Sequence, residues 1–203
     1  MARYQVILAY DGTDFRGFQR QKKARTVQGE VEEALRSLGW VEKSILSSGR
    51  TDSGVHATGQ VICFDLGWQH SEQALRQALN AALPADVSAR EVSQAEGTFH
   101  PRYDASSREY CYRILIDPVR YPMLERNTWR MDVPLDFSLL QKTAALFIGE
   151  HDFAAFGNPP RPRGNTGRNV LRSEWSREGR LYVYSIRATA FLYHMVRRIV
   201  IVQ

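Results

Sequence analysis

Apolar residues at alternate positions open the chain. Tyr4, Val6, Leu8 and Tyr10 alternate with Gln5, Ile7 and Ala9, which predicts a first strand with both faces largely covered. The pattern breaks at Asp11-Gly12, a turn signal, and a polar, basic loop runs on through Arg25. The spacing then becomes helical. Val27, Val31, Ala34, Leu35 and Leu38 fall on one stripe, with Thr26 placed to cap the start and Gly39 to end it. Strand-like runs, Ser44 to Ser48 and Gln60 to Leu66, lie on either side of GRTDSGVHATGQ, residues 49–60. Ser71 caps a second helix with Ala74, Leu75, Ala78, Leu79 and Ala82 on one face, and Asn80 to Pro84 stops it.

Residues 86–116 read as two strands separated by TFHPRYDAS, the second running from Arg108 to Ile116. A third helix is predicted from about Asp136 to Ile148, with Phe137, Leu140, Ala144 and Phe147 inward. A Pro/Gly-rich basic loop follows at 157–169, with no acidic residue. Residues 170–178 and 180–188 form a hairpin turning at Glu178-Gly179, and the chain closes on a helix within AFLYHMVRRIVIVQ, residues 190–203. Together these elements predict an α+β protein with a mixed, mostly antiparallel sheet and flanking helices.

Composition narrows the class without naming a function. The 203 residues suffice for one large domain or two small lobes, and 43% hydrophobic with 24% charged residues is ordinary for a soluble globular protein. A net charge of +5 fits a polyanionic partner but does not require one. Cys63 and Cys111 each sit in an apolar, strand-like run and read as small buried hydrophobes. The N-terminus lacks the long apolar core of a signal peptide, and His194, Arg197 and Arg198 interrupt the apolar C-terminus, so no membrane partner and a cytoplasmic location are expected.

Candidate chemistry concentrates in residues 49–60. Gly49, Gly54 and Gly59 permit tight turns around Arg50, Asp52 and His56, and an ionisable residue on a loop between strands is a common place for chemistry. Asp52 could equally brace a turn through its own backbone. Phe15, Arg16, Phe18, Gln19, Arg20 and Lys22 interleave aromatic faces with positive charge, which suits RNA contact or a mobile surface loop. Tyr110 and Tyr112 share one strand face, a pattern of core or interface. Arg161, Arg163 and Arg168 sit on a segment that is either a linker or an RNA-clasping loop. His100 has no second His or Cys at ligand spacing, so no metal is expected.

GRTDSGVHATGQV resembles the catalytic motif of the TruA family of tRNA pseudouridine synthases. Other stretches are similar to that family in the same order: YDGTDFRGFQRQ (usually with Trp where this chain has Phe18), TVQGEVEEAL, FHPR, the strand carrying Tyr110, GEHDF and FLYHMVRR. The resemblance spans residues 4–198 and implies two related lobes, 1–104 and 105–203, around a central RNA-binding cleft. It implies Asp52 as nucleophile, Tyr110 stacking on the uracil with a possible proton relay, and Arg197 in an ion pair with Asp52. Arg50 would fill the space left by a flipped uridine, and Phe18, Gln19, Arg20, His56, His100, Arg102, Arg163 and Arg168 would contact RNA. The implied substrate is tRNA, at uridines of the anticodon stem-loop (tRNA positions 38–40), with a homodimeric enzyme and no cofactor.

The chain departs from the family near its end. Ile201 stands where relatives carry glycine, and further helix and strands usually follow the position of Gln203. The alternative is therefore a catalytically impaired tRNA-binding remnant or fragment of such an enzyme. An aspartate-dependent phosphotransferase fits poorly, because no acid lies between Asp52 and Asp65 to help hold Mg²⁺.

Overall fold

A computed structural model describes residues 1–159, 161 and 163–203; Pro160 and Pro162 of the basic loop lie outside the described residues. The chain divides into two compact units, Met1–Ala105 and Ser106–Gln203. Among the described residues, four α-helices and two mostly antiparallel sheets make an α+β fold.

In the first unit, β1 (Ala2–Tyr10) pairs antiparallel with β3 (Ala57–Leu66) on one side and β4 (Val87–Ala95) on the other, and β2 (Leu46–Ser47) extends the sheet beyond β3. Alternation places Tyr4, Val6, Leu8 and Tyr10 on the buried face of β1. Helix α1 (Val27–Ser37) begins where Thr26 accepts from the Gly29 N–H, and α2 (Glu72–Ala82) where Ser71 accepts from the Ala74 N–H. Their apolar stripes, Val27, Val31, Ala34 and Leu35 with Leu75 and Leu79, share one core with β1.

The second sheet runs in the order β6-β5-β9-β8-β7. The hairpin β8 (Gly167–Glu178) and β9 (Leu181–Ala188) forms its centre, β5 (Arg108–Ile116) pairs antiparallel with β9, and β7 (Gly149–Asp152) edges β8. One pair is parallel, β5 with the short β6 (Trp129–Met131). Helices α3 (Phe137–Ala145) and α4 (Met195–Val202) close the core around Trp175, Tyr184 and Ile186.

Several expectations change. Helix α3 ends at Ala145, short of Ile148, and Leu146 and Ile148 are exposed. Strand β8 starts inside the predicted basic loop because Gly167–Arg168–Asn169 pair with β7. Cys111 is exposed, whereas Cys63 is buried and its thiol is pushed up by that burial. The cause is register: Tyr110, Tyr112 and Ile114 face the core, so Cys111 between them faces out. No helix among the described residues is long and apolar enough to cross a membrane.

Candidate active site

The loop bearing Asp52 joins two adjacent antiparallel strands, so both its ends are fixed. Ser47 pairs with Ile62, the Ser48 N–H donates to the Val61 carbonyl at 2.9 Å, and the Gln60 amide donates to Ser48 Oγ at 3.0 Å and to the Gly49 carbonyl at 3.3 Å. The Val55 N–H donates to the Asp52 carbonyl at 3.2 Å and closes the tip.

A second loop, residues 11–25, is laced onto the first. The Phe18 N–H donates to the Thr51 carbonyl at 3.0 Å, and the Gly54 N–H and Ser53 hydroxyl both donate to the Phe15 carbonyl, at 3.3 and 3.2 Å. The Tyr10 and Thr51 hydroxyls meet at 2.8 Å. Two glycines make this approach possible. A Cβ on Gly12 would lie 2.1 Å from the Val55 carbonyl oxygen, and one on Gly17, where φ is +91°, would lie 2.8 Å from the Thr51 carbonyl oxygen.

Asp52 and His56 are half-buried in this assembly, and Arg50 is exposed. The His56 Nδ1 sits 3.2 Å from the Gly12 N–H and 3.0 Å from Asp11 Oδ1. That nitrogen serves one partner at a time: bare, it accepts from Gly12; protonated, it donates to Asp11. Either way the ring ties the Asp52 loop to the turn after β1.

The aromatic-basic stretch resolves into two populations. Phe15 and Phe18 are each 1% exposed and belong to the core, so Phe18 is corrected from an RNA-facing aromatic to a packing residue. Arg25 stacks over Phe15 at 4.2 Å and makes a two-pronged pair with Asp86 at 2.6 and 2.9 Å. That pairing holds the Arg25 guanidinium well above, and the Asp86 carboxyl below, its ordinary pKa range. Arg20 pairs with the fully buried Glu32. Arg16, Gln19, Lys22 and Lys23 are left exposed.

His100 and Arg102 lie on a compact turn at the end of the first unit. The His100 carbonyl accepts from the Tyr103 and Asp104 N–H groups at 3.1 and 3.0 Å, its Nδ1 accepts from the Arg102 N–H at 3.2 Å, and its ring sits 4.3 Å from that of Tyr103.

In the second unit, Tyr110 is half-buried on β5, with its ring edge-on to Phe191 at 4.9 Å. Arg197 is exposed on α4, whose Met195, Ile199 and Val200 are buried. The lead-in to α4 is held by reciprocal Asn158–Tyr193 backbone bonds of 3.3 and 3.0 Å. Arg163 is exposed. Arg168 Nη1 donates to the Asn165 carbonyl at 3.0 Å and to the Gly167 carbonyl, and burial lowers its pKa. Among the described residues no group of three or more His, Cys, Asp or Glu side chains could hold a metal ion.

The sequence reading missed the roles of Gly12, Gly17, Thr51 and Glu32. For Glu32 a signal existed: Gln28 and Glu32, four residues apart, lie beside the apolar stripe of α1. A polar pair on a core-facing stripe announces a buried network.

Comparison with known proteins bears on what this loop is for. A family model described as tRNA pseudouridine synthase matches residues 6–104 and 143–203. Curated relatives named tRNA pseudouridine synthase A include that of Geobacter sp. (strain M21), 39% identical over 197 residues, covering 97% of this chain and 80% of the relative. The protein of that name from Pseudothermotoga lettingae is 37% identical over 201 residues, covering 98% of this chain and 82% of the relative. The one from Brevibacillus brevis is 39% identical over 200 residues, with 98% and 82% covered. Matches of this extent, with the Asp52 loop inside them, show that the chain belongs to the tRNA pseudouridine synthase family.

Proposed function

We propose that the protein isomerises uridine to pseudouridine in the anticodon stem-loop of tRNA, with Asp52 as the nucleophile. The observation that carries this reading is family membership across both units, in a chain whose Asp52 stands on a loop fixed from two sides. The reaction breaks the C–N bond between C1′ and N1 of uracil, turns the base, and joins C1′ to C5. The C5 proton is lost and N1 gains one, so atoms balance without an oxidant or reductant. A carboxylate supplies the needed nucleophile, at C1′ of the sugar or C6 of the base.

Tyr110 stacks on the uracil and its hydroxyl relays the C5 proton. Arg197 pairs with the carboxylate; a guanidinium suits this because it stays charged when desolvated and meets a carboxylate in a planar fork. Arg50 occupies the gap left by the extruded nucleotide, whose unstacking costs a few kcal/mol. Gln19, His100, Arg102, Arg163 and Arg168 hold the RNA backbone, positioning it without reading sequence. Arg20 and His56 serve the loop first, because their polar atoms engage Glu32 and the Asp11-Gly12 turn. The protein works in the cytoplasm as a homodimer.

Incubation with unmodified tRNA transcript, followed by pseudouridine mapping, tests this reading. Wild-type protein should give product in the anticodon stem-loop, and folded, tRNA-binding Asp52→Ala none. Product from Asp52→Ala would refute the nucleophile; no product from folded wild type would refute the activity.

A further inference from the structure

The least expected group in the first unit is a carboxylate with no solvent exposure, that of Glu32 on α1. Its Oε2 pairs with Arg20 and lies 3.6 Å from Arg36. Its Oε1 accepts from the Gln28 amide at 2.8 Å and from the Ile45 N–H at 3.3 Å. Gln28 extends the network: its Oε1 accepts from the Arg20 N–H at 3.0 Å, and its Nε2 also donates to Ser44 Oγ at 2.8 Å. Removing one partner of a buried charge leaves the other uncompensated, so such a site is retained at a cost and holds its neighbours firmly.

Both segments that Glu32 grips lead to the Asp52 loop. Ser44 and Ile45 precede β2, which runs directly into Gly49, Arg50, Thr51 and Asp52. Arg20 ends the arm whose Phe18 N–H holds the Thr51 carbonyl, while the Phe18 carbonyl accepts from the Gln28 N–H at 2.9 Å. One carboxylate therefore fastens two of the supports of Thr51, the residue beside the nucleophile. We infer that Glu32 is a positioning residue for Asp52: it joins the 16–21 arm and the lead-in to β2 on a common anchor, and so sets where the Asp52 carboxylate stands. The inference rests on Asp52 being the nucleophile.

The test uses Glu32→Gln, which keeps shape and acceptor but removes the charge, and Arg20→Met, which removes the opposite charge from the surface side. Steady-state conversion of tRNA is measured for each single variant, the double variant and Asp52→Ala, with melting temperatures and corrected for folded fraction. Loosening of the loop should lower kcat by about 10- to 100-fold, with KM changed less than about threefold. The double variant should be no worse than the poorer single one, because the pair acts as a unit.

Wild-type kcat in both variants, with only a lower melting temperature, would overturn the inference. A rise in KM alone for Arg20→Met would also overturn it, since that marks a direct RNA contact. If Glu32→Gln does not fold, Arg20→Met decides by the same kcat criterion. Activity in Asp52→Ala would remove the underlying reading. An inactive Asp52→Ala beside fully active Glu32→Gln and Arg20→Met would remove this inference alone.

Discussion

Gly12 offers the sharpest test of how the Asp52 loop is held. Substituting alanine puts a Cβ 2.1 Å from the Val55 carbonyl oxygen, 2.5 Å from its carbonyl carbon and 3.0 Å from its nitrogen. Ordinary contact begins near 3.4 Å, so the two backbones must part by 3.4 − 2.1 = 1.3 Å along that line. No flexible side chain can relieve this, because the three nearest atoms are all main chain of Val55. The displacement reaches Asp52 directly, since the Val55 N–H donates to the Asp52 carbonyl. It also breaks the 3.2 Å contact between Gly12 N–H and His56. Overpacking of this kind costs about 1–3 kcal/mol of stability, and a nucleophile misplaced by about 1 Å loses rate on the order of 100-fold.

The assay is single-turnover conversion of saturating tRNA, corrected for folded fraction, beside two control glycines. Gly59→Ala has nothing within 4 Å and no positive φ, and should leave both rate and stability near wild type. Gly39→Ala, at φ +90° with open space after α1, should cost about 1–2 kcal/mol of stability without changing the rate of the folded enzyme. Gly17→Ala combines strain with a 2.8 Å approach to the Thr51 carbonyl, and should lose both. A Gly12→Ala enzyme that converts tRNA as fast as Gly59→Ala would refute the claim that this close approach fixes Asp52.

Phe18→Ala should lower stability by about 3–5 kcal/mol, read by urea denaturation, because the ring is 1% exposed in the core; selective loss of tRNA affinity at unchanged stability would restore it to the RNA surface. Asp65→Asn removes a two-pronged pair with Arg3, both bonds 2.8 Å. Arg3 depresses the Asp65 pKa, chiefly by hydrogen bonding, so this stabilisation is present above the unfolded carboxylate pKa and vanishes as pH falls through the lower folded value. The variant should therefore be about 1 kcal/mol less stable at pH 7 and converge on wild type in acid well below pH ~4; a gap constant down to pH ~2 would contradict the assignment.

Much of the fold was legible because local pattern and tertiary environment agree. In β1, the apolar alternation that marks a strand is also the register that packs on α1 and α2. Thr26 and Ser71 cap α1 and α2 with their own side chains, so both starts were readable residue by residue. Where the two levels part, the reading failed. Phe15 and Phe18 sit among Arg16, Gln19 and Arg20 with no repeating period, and their burial comes from partners distant in the chain: the core of the first unit and the apposed Asp52 loop. Strand β7 is Gly-Glu-His-Asp, polar throughout, and exists because it can pair at an edge with β8. The exposure of Cys111, by contrast, was deducible: with Tyr110 and Tyr112 inward, the residue between them has to point outward.

The site residues divide by the same logic. The motif around Asp52 is written in contiguous residues, so its place on a glycine-rich loop could be read directly. The devices that fix it are written elsewhere: Gly12 and Gly17 in the loop after β1, Tyr10 at the end of β1, and Gln28 and Glu32 on α1. The two glycines act by the side chain they lack, and Tyr10, Gln28 and Glu32 through side-chain contacts with segments distant in the chain, so none of these roles shows in the local pattern. A nucleophile that must reach one carbon gains from supports ordered during folding, because substrate binding then does not also have to order the loop. Under the proposed function the exposed Arg16, Gln19 and Arg102 face the opposite requirement, because a phosphate backbone can be met over a range of geometries. Substitutions among these exposed groups should accordingly raise KM and soften its salt dependence, while substitutions among the buried supports should lower kcat.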